Sequence, residues 1–92
     1  MLPELKEIRQ EIDLIDDRIK ALYERRMKLV LDIAEIKAER NLPVLDVARE
    51  SEIISRLTKG QDDDMTEVTK ALFAVVFEAS RSYQAKKSGL KQ

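Results

Sequence analysis

Apolar residues fall at Leu5, Ile8, Ile12, Ile15, Ile19 and Leu22, and again at Leu29, Ile33 and Ile36. The steps are three and four, the spacing of one helical face and, when sustained, of a heptad seam. Between Pro3 and Arg40 no Gly or further Pro interrupts the run. Pro3 suits the first turn of a helix, and Pro43 disfavours helical backbone at Leu42. The first helix is therefore predicted to end at Asn41-Leu42-Pro43. A second helix is predicted from Asp46, a good N-cap. Val47, Ile53, Ile54 and Leu57 form its apolar face, and Gly60 is its left-handed stop. A third follows Gln61-Asp62-Asp63-Asp64, where Asp64 with Glu67 resembles a capping box. Met65, Val68, Leu72, Val75, Ala79 and Tyr83 mark one stripe on it, and Phe73, Phe77, Ser80 and Gln84 a neighbouring one. The reading is a single domain over residues 1–92 with helices at about 4–40, 46–59 and 64–87; residues 88–92 are expected to fray.

A first helix of about 37 residues is about 55 Å long. A compact chain of this size has a radius of gyration of only about 12 Å. The rod overshoots any globule its own chain can build, and the remaining residues cannot cover both its ends. The expected architecture is all-α, with three helices per chain and one very long N-terminal helix, in an intertwined homodimer. A protruding coiled coil is the other arrangement the pattern allows.

Composition narrows the chemistry. The 92 residues include no Cys, His or Trp, and 17 Lys and Arg against 18 Asp and Glu leave a net charge of −1. Disulfides, a thiolate nucleophile, Cys or His metal ligation and a Ser-His-Asp triad are excluded within the chain. Arg, Lys, carboxylates, amides and hydroxyls remain. The near-zero balance argues against a nucleic-acid partner. No apolar run reaches the roughly 18 residues of a membrane span. No basic stretch followed by an apolar one marks a signal peptide. A cytoplasmic protein without membrane association is expected.

Several charged positions break the pattern. The seam demands an apolar residue at position 26, and Arg26 stands there. Lys37 lies three helical turns further on, so Arg26, Val30, Ile33 and Lys37 share one face. The two cations flank an apolar patch and can converge on a small anion, although a snorkelling Arg and a solvated Lys would show the same spacing. Asp46 explains itself as a cap. Arg49, in the first turn of the second helix, opposes the helix dipole and needs an anion, either a ligand or a protein carboxylate such as Glu52. Glu50 agrees with the dipole there. Ser80 and Gln84 extend the Phe73 and Phe77 stripe and can face a polar pocket or simply mark the core boundary. Arg9 is about 25 Å along the helix from Arg26. One small ligand cannot touch both within a chain, but Arg9 of a partner chain can reach the site in an intertwined dimer.

Taken in order, Ile8-Arg9, Glu24-Arg25-Arg26, Ile36-Lys37, Pro43-Val44-Leu45-Asp46-Val47-Ala48-Arg49-Glu50 and Glu78-Ala79-Ser80-Arg81-Ser82-Tyr83-Gln84 resemble the all-helical class of chorismate mutases. The likeness runs from about residue 4 to 87 and rests on the order and spacing of the motifs together. It implies a domain-swapped homodimer with two equivalent sites that converts chorismate to prephenate by a Claisen rearrangement, for phenylalanine and tyrosine biosynthesis. It also implies that no metal or organic cofactor is needed. Carried over by position, Arg26 and the partner chain's Arg9 hold the substrate carboxylates, and Arg49 joins them. Lys37 and Gln84 bond the ether oxygen. Glu50 and Asp46 meet the ring hydroxyl and adjacent backbone, and Ser80 assists near a carboxylate. Arg26, Lys37, Glu50 and Gln84 are then the catalytic set, and Arg25 has no role. Two other activities fit a related fold: an isochorismate pyruvate lyase, which typically lacks the Asp-x-x-Arg-Glu arrangement, and a regulatory domain sensing chorismate or prephenate. A purely structural helical dimer would explain the seam but not the cations on it.

Overall fold

The computed structural model describes residues 3–87. It contains α1 (Pro3–Glu39), α2 (Val47–Thr58) and α3 (Asp63–Lys87), and no strand among the described residues. The tail expected to fray, from Ser88 to Gln92, lies outside the described residues. Helix ends fall within one residue of those predicted, but two are made by residues other than the ones assigned to them.

The first is the end of α1. Asn41 adopts the left-handed conformation, φ 55°. Its N–H donates to the Ala38 carbonyl at 3.3 Å, and Leu42 N–H reaches back to the Lys37 carbonyl at 2.8 Å. This pair of bonds is a Schellman stop, with Asn41 in the position usually held by Gly. It acts before Pro43, which then keeps the chain from resuming the helix.

The second is the start of α3. Asp62, not Asp64, is the cap: its Oδ1 accepts from Met65 N–H at 2.8 Å. Capping at the earliest of the three aspartates leaves Asp63 and Asp64 in the first turn, where their charges meet the positive end of the helix dipole. Gln61 fastens the turn, its Oε1 accepting from the Thr69 hydroxyl at 2.8 Å. Asp46 caps α2 as expected, with Oδ1 accepting from Arg49 N–H at 3.0 Å. Gly60 follows α2 at φ 85°.

Both α1 and α2 pack on α3. The molecule measures 56 × 27 × 16 Å with a radius of gyration of 16.9 Å. That exceeds the compact value of about 12 Å because α1 runs the full length of the long axis. The apolar residues buried among the described ones are Val30 and Ala34 of α1, Ile53 of α2 and Phe77 of α3. Phe73 meets Phe77 edge-on, with ring centroids 5.8 Å apart. This small core lies where the C-terminal half of α1 meets the other two helices.

The seam of α1 is left uncovered. Leu5, Ile8, Ile12, Ile15, Ile19 and Leu22 are each 40–58% exposed. On α3, the stripe of Met65, Val68, Leu72 and Val75 is exposed too. Only the neighbouring stripe of Phe77, Ser80 and Gln84 is buried within the chain.

Candidate functional site

Val30, Ile53 and Phe77 of this core floor a cavity of about 410 Å³ between the three helices. From α1 it is lined by Arg26, Val30, Ile33 and Lys37, the four residues that helical spacing places on one face. From the start of α2 come Asp46, Arg49 and Glu50, and from α3 come Ser80, Arg81 and Gln84. Seven of the eight site residues expected from the sequence therefore meet in one recess. Arg9 does not line it, as the helix arithmetic requires for a single chain.

Each side chain is held by a specific neighbour. Arg26, half-buried, donates from Nη1 to Ser80 Oγ at 2.8 Å. Ser80 directs its own hydroxyl proton to the Val76 carbonyl, also at 2.8 Å. A hydroxyl has one proton, so toward Arg26 it acts as an acceptor. Ser80 is 6% exposed and so ties α3 to the guanidinium in a fixed geometry. Lys37 donates from Nζ to the Val44 carbonyl at 2.9 Å. An ammonium has three donors, so this contact anchors the side chain and leaves donors for a ligand. The Asn41 stop is what folds Val44 back over Lys37.

Asp46 engages the first turn of α2 through its side chain, which fixes Arg49 and Glu50 at the rim. Arg49 pairs with Glu52 at 2.6 Å, both side chains being more than half exposed. The protein carboxylate thus answers its conflict with the helix dipole in the single chain. An exposed pair of this kind contributes at most about 1 kcal/mol, so exchanging Glu52 for a ligand anion costs little. Glu50 is half-buried and its Oε2 accepts from Arg81 Nη1. Gln84 is 6% exposed on the wall beside Ser80.

Arg81 is the site residue that sequence reading missed. It lies four positions after Phe77 and beside Ser80, but nothing in local spacing says that it meets a carboxylate on another helix. The neighbouring stripe on α3 was legible; the pairing across helices was not.

Four cations (Arg26, Lys37, Arg49, Arg81) and two carboxylates (Asp46, Glu50) line the cavity, a surplus of two positive charges over an apolar floor. Such a recess suits a small anion carrying an apolar body. A larger recess of about 650 Å³ opens on the other side of α2 and α3, lined by Ser51, Ser55, Thr58 and Lys70 among others. Its cations are Lys70 and the shared Arg81, with none from α1, so size does not select it. Among the described residues no group of acidic side chains is placed to hold a metal ion, and no helix is long and apolar enough to cross a membrane.

Fold and cavity together give an all-helical protein whose recess is lined by a surplus of cations over an apolar floor. The family model for chorismate mutase type II matches residues 8–85. The chain belongs to that family. A bifunctional chorismate mutase/prephenate dehydratase of Aquifex aeolicus is 45% identical over 58 residues, 63% of this chain and 16% of its own length. A second protein of that description, from Buchnera aphidicola, is 38% identical over 85 residues, 90% of this chain and 22% of its length. A chorismate mutase of Methanocaldococcus jannaschii is 42% identical over 59 residues, 64% of this chain and 60% of its length. The chain thus spans less than two thirds of each of these relatives.

Proposed function

We propose that the protein rearranges chorismate to prephenate in this cavity, as a homodimer with two shared sites. One observation carries the reading: Arg26, Lys37, Glu50, Ser80 and Gln84, scattered over the sequence, line a single recess. Chorismate offers two carboxylates, a ring hydroxyl and an enolpyruvyl ether. In the rearrangement the ether C–O bond breaks as a C–C bond forms within the same molecule. No proton, electron or group is exchanged with the protein, which is consistent with a chain that lacks His and Cys and with action without a metal or organic cofactor.

Two effects are then available. The first is orientation. Arg26, joined by Arg9 of the second protomer and by Arg49, holds the carboxylates so that the two reacting ends meet in a chair-like arrangement. Ser80 fixes Arg26 for this task, and Asp46 fixes the turn that presents Arg49 and Glu50. Glu50 accepts from the ring hydroxyl. The second effect is charge stabilisation. As the C–O bond stretches, negative charge grows on the ether oxygen, and Lys37 and the Gln84 amide donate to it. A preorganised donor of this kind is worth about 10²- to 10³-fold in rate.

The dimer follows from what α1 leaves uncovered. Its exposed Ile and Leu seam, and the exposed stripe of α3, are the surfaces a second copy would bury. Pairing the long helices also carries Arg9 toward the other protomer's cavity. The reading places the enzyme in the cytoplasm. Its test is chorismate consumption followed in the ultraviolet with identification of the product. Prephenate supports it. Release of pyruvate from isochorismate, or binding without turnover, would replace it with lyase or sensor function.

A further inference from the structure

The cavity has a charge problem. Glu50 is a carboxylate at the rim of a recess that also contains Arg26, Lys37 and Arg49. If Glu50 swung toward any of them, it would neutralise a cation that the substrate's carboxylates need. A carboxylate that is to accept from a hydroxyl must be kept on its own wall.

Arg81 occupies the position that does this. It stands on α3 beside Ser80, and its Nη1 donates to Glu50 Oε2. The side chains are 33% and 27% exposed, so the pair is shielded from water on most sides. Glu50 and Arg81 line both the active cavity and the recess behind it, so the pair forms part of the wall between the two. Successive residues of α3 thus have opposite tasks. Ser80 ties the helix to a cation of α1, and Arg81 ties it to an anion of α2.

We propose that Arg81 is a positioning residue. It holds Glu50 away from the substrate-binding cations and leaves the second carboxylate oxygen to accept from the substrate hydroxyl. This rests on the chorismate reading above and adds a residue to it. Charge-assisted bonds of this kind, converted at about 1.4 kcal/mol per decade, correspond to about a 10- to 100-fold effect.

The test is a double-mutant cycle on kcat/KM for chorismate with Arg81→Met, Glu50→Gln and both together. Arg81→Met is expected to lose about 10- to 100-fold, with KM raised more than kcat is lowered. The double variant should fall within about threefold of Glu50→Gln alone, because Arg81 has nothing left to position. Arg81→Lys, which keeps the charge but not the planar fork, should recover part of the loss. Circular dichroism and thermal melts of all variants accompany the kinetics. Multiplying losses in the double variant, an unaffected Arg81→Met, or loss of fold in both Arg81 variants would overturn the proposal. Absence of prephenate formation by the unaltered protein would instead overturn the functional reading.

Discussion

Ile12 and Ile19 sit seven residues apart on the α1 seam and are 48% and 54% exposed. In the proposed dimer each would be covered by the second protomer, so replacing both with Glu would remove four half-buried isoleucines per dimer. Burying a whole side chain of this type contributes about 1.5–3 kcal/mol. Half of that, four times over, is about 3–6 kcal/mol, or about 10²- to 10⁴-fold in the dimer dissociation constant. The desolvation of four new carboxylates adds to it. Analytical ultracentrifugation at micromolar concentration reads the outcome. The unaltered protein should sediment at twice the 10.6 kDa chain mass, and Ile12→Glu/Ile19→Glu should dissociate. The variant should also lose helical circular dichroism, because the N-terminal half of α1 has no core of its own. An unaltered protein that sediments as a fully helical monomer, or a double variant that stays dimeric, would show that this seam is not a dimer interface.

Other outcomes follow from the same geometry. Arg9→Ala and Lys37→Ala proteins should each be nearly inactive. Mixing them with subunit exchange should restore activity, since a heterodimer carries one site with both residues intact; a mixture that stays inactive would refute the shared site. Asn41→Ala should lower stability in urea by about 1 kcal/mol, because a β-carbon without a compensating polar group is disfavoured in the left-handed region. Asn41→Gly should match or exceed the unaltered protein, and equal stability of Ala and Gly variants would show that the stop is not strained.

The long helix was legible because its signal is periodic and uninterrupted, and periodicity survives any uncertainty at the ends. The face of Arg26, Val30, Ile33 and Lys37 was legible for the same reason: all four lie on one helix, where 3.6 residues per turn fixes their relation. What spacing could not supply were relations between elements. The Glu50–Arg81 pair joins residues 31 apart on different helices. The Lys37 contact to the Val44 carbonyl depends on how the Asn41 stop folds the loop back. The spacing to Glu67 pointed to Asp64 as the cap of α3, whereas Asp62 takes that place, beside the turn that Gln61 fastens. The exposed seam had the clearest sequence signal, yet a single chain leaves it unburied.

In the proposed rearrangement Lys37 stabilises the charge that develops on the ether oxygen. The most direct test of this role is kcat for prephenate formation by the unaltered protein and by Lys37→Ala, with helicity and sedimentation measured alongside. Lys37→Ala should lose at least about 10²-fold in kcat with unchanged fold and assembly. Turnover by Lys37→Ala within a few-fold of the unaltered protein would contradict that role.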